Sequence, residues 1–142
     1  MDLKCFLETD QPNCVKQPLI LAVDDDEDNL LLISQVLSLG NYSFITATNG
    51  LMALSMAEEQ LPDLILLDVM LPDLDGAEIV RCLRRNPETL RIPVIAVTAM
   101  ARKEDRDRLL EAGCNDYISK PYMVDDLEEL IHRYLSSPPP AF

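Results

Sequence analysis

Histidine occurs once, at His132, and no basic residue of any kind lies between Lys16 and Arg81. The four cysteines, Cys5, Cys14, Cys82 and Cys114, form no Cys-x-x-Cys pair. Together these scarcities leave no zinc-binding spacing. Cys82 and Cys114 stand in apolar patterns and read as small core residues. His132 falls late in the last helical segment, where the helix dipole favours a cation, and reads as a surface residue. The shortage of positive charge, with a net charge of −13, gives a surface that repels nucleic acid, whose binding rests on cationic neutralisation. The later basic residues, from Arg81 to Arg108, sit among Glu and Asp and read as helix-surface charge. No apolar run approaches the roughly 18 residues that a membrane-spanning helix requires. Asp2, Glu8 and Asp10 interrupt the stretch where a signal peptide needs unbroken apolar residues. The expectation is a cytoplasmic protein that meets neither membrane nor nucleic acid.

What is present is one domain's worth of chain: 142 residues, 48% hydrophobic and 26% charged, the balance of a soluble globular protein. Residues 1–17 are polar and patternless and read as an extension, residues 18–135 as the domain, and residues 136–142 as a Pro-rich tail. Short apolar runs, LILAV (19–23), YSFIT (42–46), DLILL (63–67), PVIAV (93–97) and NDYIS (115–119), alternate with segments of helical spacing. Three of these runs are solidly aliphatic, as strands covered on both faces require. Pro18, Pro62 and Pro93 sit at or just before strand starts, where a missing N–H does least harm. Helices are expected over roughly 27–39, stopping at Gly40, and roughly 102–112, stopping at Gly113. In the last helix Leu127, Leu130, Ile131 and Tyr134 recur as one apolar stripe. Gly50 and Gly76 precede the second and third helices, so all four glycines mark helix ends. Five βα units imply a parallel sheet with helices on both faces.

Polar residues then collect at the carboxyl ends of the strands, where open α/β sheets bind ligands. Strand one ends at Asp24 and Asp25, strand three at Asp68, strand four at Thr98, and strand five just before Lys120. With strands one and three as neighbours, three carboxylates approach within a few ångströms, an arrangement that calls for a cation. An all-oxygen set with open positions suits Mg²⁺. Carboxylates, divalent cation, hydroxyl and ammonium together describe a phosphoryl-transfer site. The run Asp24-Asp25-Asp26-Glu27-Asp28 thereby divides, because Asp26 is placed to cap the first helix and Glu27 and Asp28 suit its first turn. Asp73 and Asp75 are expected to shape the loop that starts the third helix. A calcium loop is excluded by spacing, since Asn29 stands where that loop needs Gly and Gln35 where it needs a bidentate Glu. Met52, Met56, Met70 and Met100 read as packing residues.

The stretches LILAVDDDEDN, LILLDVMLPDLDG, VIAVTA and DYISKP, in this order and spacing, resemble the motifs of response-regulator receiver domains, the CheY-like family of two-component signalling. The resemblance covers residues 18–135. It implies a doubly wound five-stranded parallel sheet of order 2-1-3-4-5 and a phosphoacceptor, Asp68, served by a sensor histidine kinase or phosphotransfer protein. It further implies that Asp25 binds Mg²⁺ directly, Asp24 mainly through water or as a second ligand, and Met70 through its backbone carbonyl. Lys120 would contact a phosphoryl oxygen, with a cis bond into Pro121. Thr98 would hydrogen-bond the phosphoryl group while Tyr117 swings inward, and that pair is the conformational switch. Met70 and Met100 stand at positions that resemble those tuning water access in the family, which implies a longer phosphoryl lifetime than polar residues there would give. Taken singly, Thr98 also reads as a strand end and Tyr117 as a core aromatic.

The expected function is a phosphoacceptor signalling domain, not an enzyme, acting on a downstream protein. Few residues follow the fifth helix, so a stand-alone receiver is expected, with a fragment of a larger regulator or hybrid kinase as the alternative. Two competitors remain. A haloacid-dehalogenase-like phosphatase shares an Asp-x-Asp after its first strand, here Asp24 and Asp26, but leaves Asp68 unexplained and lacks a cap segment. A degenerate receiver acting as a constitutive interaction module conflicts with the presence of Asp25, Asp68, Thr98 and Lys120 together.

Overall fold

The computed structural model describes residues 17–99 and 102–136. Among the described residues five strands, β1 (Leu19–Val23), β2 (Ser43–Ala47), β3 (Leu64–Leu67), β4 (Val94–Thr98) and β5 (Asp116–Ser119), alternate with five helices. The helices are α1 (Glu27–Leu39), α2 (Gly50–Gln60), α3 (Gly76–Arg85), α4 (Lys103–Ala112) and α5 (Val124–Ser136). The strands form one parallel sheet in the order β2-β1-β3-β4-β5.

Strand alternation builds two cores from the same runs. Leu21 and Val23, Ile65 and Leu67, Val94 and Ala96 point to one face, where Ala53 and Ala57 of α2, Ile79, Val80 and Leu83 of α3, and Leu109 of α4 cover them. Ile20, Ala22, Leu64, Leu66, Ile95 and Val97 point to the other, against Leu30, Ile33, Val36 and Leu37 of α1 and Leu127 and Ile131 of α5. The aliphatic runs of β1, β3 and β4 are thus buried on both faces, as their composition requires, whereas the outermost strands β2 and β5 are largely half-buried. The stripe on α5 holds: Leu127 and Ile131 are buried, with Leu130 and Tyr134 packed beside them.

Four strands begin one residue later than the apolar runs suggest, for local reasons. Tyr42 sends its N–H to Leu37 at 3.0 Å, closing the end of α1. Pro93 has no N–H, though its carbonyl accepts from Ile65 at 3.0 Å. Helix α1 ends at Leu39 with Gly40 as its cap, yet Gly40 has φ −85° and the left-handed residue is Asn41, at φ 63°. Gly113, at φ 117°, is the left-handed cap of α4. Helix α4 begins at Lys103, one residue after the expected start, because Arg102 is its N-cap.

Two methionines expected to pack do not. Met52 is 44% and Met70 60% exposed. Met52 lies on α2 off the Ala53/Ala57 face, and Met70 sits in the loop after β3. Met56 does pack against the α2–α3–α4 core. Cys114 is buried with its thiol donating to Val94 and Asp116 carbonyls at 3.3 and 3.1 Å, while Cys82 is half-buried. Met100 and the expected extension and Pro-rich tail, apart from Gln17 and Ser136, lie outside the described residues.

Candidate functional site

Parallel register brings the strand ends together. Val23 stands opposite Leu67, so the next residues, Asp24 and Asp68, emerge side by side, tied by a hydrogen bond from the Asp68 amide to the Val23 carbonyl at 2.9 Å. Thr98 pairs with Ser119, and the Lys120 amide donates to the Thr98 carbonyl at 2.8 Å, which sets Lys120 at the same edge. The Lys120–Pro121 peptide bond is cis.

Lys120 Nζ lies 2.9 Å from Asp24 Oδ2 and 3.4 Å from Asp68 Oδ2. Asp24 is buried, and its other oxygen accepts the Asp26 amide at 2.9 Å. The other oxygen of Asp68, Oδ1, accepts the Met70 amide at 3.1 Å. Asp25 is exposed, and carboxylate oxygens of Asp24, Asp25 and Asp68 lie within 4.8 Å of one another. Burial, with the charge of Asp24 added, raises the pKa of Asp68 above its ordinary 3.8 despite the Met70 hydrogen bond and Lys120. Burial also works against the charge of Lys120, but its hydrogen bond to Asp24 and the charges of both aspartates outweigh that and raise its pKa above 10.5. Both shifts are upward, yet the charged form is disfavoured in Asp68 and favoured in Lys120, because one ammonium is shared: Lys120 gains from two carboxylates, while Asp68 receives only part of one cation.

This arrangement fits a hard divalent cation. The donors are all oxygens, one carboxylate faces solvent, and the acids outnumber the single ammonium that touches them. The Asp25 side opens into a groove of about 440 Å³ shared with Val69, Met70, Leu71 and Asp73.

The remaining acids of the run behave differently. Asp26 caps α1 by accepting the Asp28 amide at 2.9 Å, and Glu27 and Asp28 occupy the first turn. That use of Asp26 removes the second member of the phosphatase-like Asp-x-Asp pair from the site. Asp75 caps α3 and pairs with Arg108 of α4. Asp73 does not start α3; its carboxylate reaches α2 instead.

Thr98 is fully buried at the end of β4. Tyr117, half-buried on β5, packs against the core under α4. Its hydroxyl accepts a hydrogen bond from Arg106 of α4, whose guanidinium carbon lies 5.0 Å from the ring centroid. The Nε of Arg106 is buried without a hydrogen-bond partner among the described residues. Sequence patterning offered no sign of this arginine, since Arg106 sits in a run of alternating surface charges.

A sheet of order 2-1-3-4-5 carrying acids at two central strand ends, Thr98 and Lys120 defines a receiver domain. The sequence profile of the response regulator receiver domain family matches residues 20–132, and the chain belongs to that family. Among curated relatives, the polar-differentiation response regulator DivK of Brucella anthropi is 43% identical over 116 residues, 82% of this chain and 94% of that protein. DivK of Brucella ovis is 42% identical over the same span. Among solved structures, the receiver domain of a sensor histidine kinase from Pseudomonas aeruginosa PAO1 superposes with a TM-score of 0.80 and 36% identity, covering 86% of this chain and all (100%) of that one. It holds a magnesium ion coordinated in its active-site cleft. A CheY-like receiver domain protein from Methanospirillum hungatei gives a TM-score of 0.79 at 32% identity, covering 85% of this chain and 95% of the other. The protein is therefore a two-component response-regulator receiver, a signalling domain and not an enzyme of the usual kind. Among the described residues no helix is long and apolar enough to cross a membrane.

Proposed function

We propose that the protein accepts a phosphoryl group on Asp68 from a sensor histidine kinase or phosphotransfer protein and signals through Thr98 and Tyr117. The observation that carries this reading is the shared ammonium: Lys120 bridges Asp24 and Asp68 at 2.9 and 3.4 Å, and an exposed third carboxylate completes a cluster within 4.8 Å. Asp25, Asp68 and the Met70 carbonyl would hold Mg²⁺, with Asp24 binding mainly through water or as a second ligand. Bound there, the cation supplies the charge neutralisation that lets a carboxylate meet an anionic phosphoryl group.

The chain's own residues do the rest. An Asp68 oxygen attacks phosphorus in line as the bond to the donor's imidazole nitrogen breaks, leaving an acyl phosphate on Asp68 and a neutral histidine on the donor. Lys120, already at the Asp68 carboxylate, pairs with a phosphoryl oxygen. The new group adds charge and acceptor oxygens, and Thr98 supplies a hydroxyl to it. Movement of Thr98 opens the space into which Tyr117 turns, giving up its Arg106 contact. Such a coupling is worth roughly 1–3 kcal/mol, enough to shift a two-state face.

The protein acts in the cytoplasm as a stand-alone receiver, a reading supported by the DivK relative matched over 94% of its own length. A fragment of a larger regulator or hybrid kinase is the second reading, since the Pseudomonas neighbour is the receiver domain of a sensor kinase. In NMR spectra, beryllofluoride with Mg²⁺ is expected to shift Thr98 and Tyr117 in the wild type and neither in Asp68→Ala. Shifts that persist in Asp68→Ala contradict the assignment.

A further inference from the structure

The loop joining β3 to α3 is closed at its base and clamped at its tip. At the base, Met70 and Asp75 form an antiparallel bridge, and the Gly76 amide donates to the Val69 carbonyl at 3.1 Å. At the tip, the Asp73 carboxylate reaches out of its own loop. Its Oδ1 accepts the Gly50 amide at 2.7 Å and its Oδ2 the Leu51 amide at 3.0 Å.

Those are the first two amides of α2, donors that a helix cannot satisfy internally. Helix α2 has no acidic residue in its own first turn, and the Asn49 side chain accepts the next amide, that of Met52, at 2.8 Å. Two separate chain segments thus complete the N-terminus of α2. Close approach depends on Gly50, where a Cβ would stand 2.8 Å from Leu74 Cβ. The Gly50 and Leu51 hydrogen bonds hold the pKa of Asp73 below the usual 3.8, so the clamp is charged at neutral pH.

Elsewhere the loop is held by partial packing of Leu71 and Leu74 against the core and by the Asp75–Arg108 pair. Met70, Pro72, Asp73 and Asp75 are exposed, and Leu71 and Leu74 only half-buried. A loop free at its tip would have to be ordered when a ligand arrives, at the expense of affinity. We infer that Asp73 is a positioning residue of the cation site: by clamping the β3–α3 loop onto the first turn of α2, it orients the Met70 carbonyl before the ion binds. The inference rests on the proposed Mg²⁺ site. Asp73 acts through the loop and does not itself touch the ion.

The test is Mg²⁺ titration, followed by calorimetry, of wild type, Asp73→Ala, Leu51→Glu and the double variant Leu51→Glu/Asp73→Ala. Leu51 is 65% exposed at the second position of α2. A glutamate there restores a favourable charge to the helix start. Asp73→Ala is expected to weaken Mg²⁺ binding about tenfold, the low end for groups that orient a metal ligand. The double variant is expected to recover melting temperature and not affinity, with Leu51→Glu alone as its baseline. Unchanged affinity in Asp73→Ala overturns the inference, as does affinity that returns together with stability in the double variant. Wild-type protein that binds no Mg²⁺ overturns the cation reading, and this inference with it.

Discussion

Replacing the phosphoacceptor candidate by its neutral isostere is expected to make the metal-free protein more stable. In Asp68→Asn the side-chain oxygen can still accept the Met70 amide, and Lys120 keeps Asp24 at 2.9 Å. What disappears is a buried charge, with the weak hydrogen bond its other oxygen accepts from Lys120 at 3.4 Å. At an effective dielectric of about 20, Lys120 at 3.4 Å attracts Asp68 by about 5 kcal/mol, and Asp24 within 4.8 Å returns at least about 3.5 kcal/mol of repulsion. The small surplus does not cover the desolvation of a carboxylate that is only 7% exposed. Exchange of such a charge for a neutral group is expected to stabilise by about 1–3 kcal/mol at pH 7, or about 4 °C per kcal/mol in a domain of this size. The pH dependence has a definite sign. With its folded pKa above 3.8, Asp68 favours the fold when protonated; that contribution is complete below 3.8 and lost as pH rises through the folded pKa. The advantage of Asn over Asp is therefore largest at neutral pH and gone in acid. Mg²⁺ is expected to narrow it by stabilising the wild type more than the variant. The chain has no tryptophan, so urea unfolding followed by far-UV circular dichroism is the assay. A variant no more stable than wild type at pH 7 without divalent cations, or a gain that persists in acid, refutes the reasoning.

Lys120→Gln leaves the buried Asp24 without its cation and is expected to cost about 3–5 kcal/mol in the same assay, part of it recovered by Mg²⁺; an unchanged midpoint contradicts the role of the ammonium. Arg84 donates to the carbonyls of Leu90, Ile92 and Gly113 and to Asn115 Oδ1, joining α3 to the start of β4 and the end of α4. Arg84→Ala is expected to destabilise by about 2–4 kcal/mol through the acceptors left unpaired, with loss confined to a few tenths contradicting this. Met70→Asn is expected to shorten the lifetime of the phosphorylated protein, measured by decay of the intact-mass adduct; equal decay rates contradict a water-excluding role.

Fold and the placement of residues at the strand ends were legible because both depend on short-range pattern. Aliphatic runs demanded cover on both faces, and the residue after each run, Asp24, Asp68 or Lys120, had nowhere to go but the carboxyl edge. The division of the acidic run was legible too, since capping is local: Asp26 bonds the amide two residues on. Partners far apart in sequence were not. Asp73 looked like part of the start of α3, yet it binds amides 22 and 23 positions upstream. Arg106 looked like helix-surface charge until β5 placed the Tyr117 ring beneath it. Met52 and Met70 show the limit of composition, for an apolar side chain packs only when its element turns that face inward.

The central claim is that Asp68 takes the phosphoryl group. Incubation with acetyl phosphate and Mg²⁺, followed by intact-mass analysis and mapping of the modified peptide, tests it directly. One adduct is expected, on Asp68, dependent on the divalent cation and absent from Asp68→Ala. An adduct that survives in Asp68→Ala, or ester turnover lost in Asp24→Asn and kept in Asp68→Asn, contradicts the account.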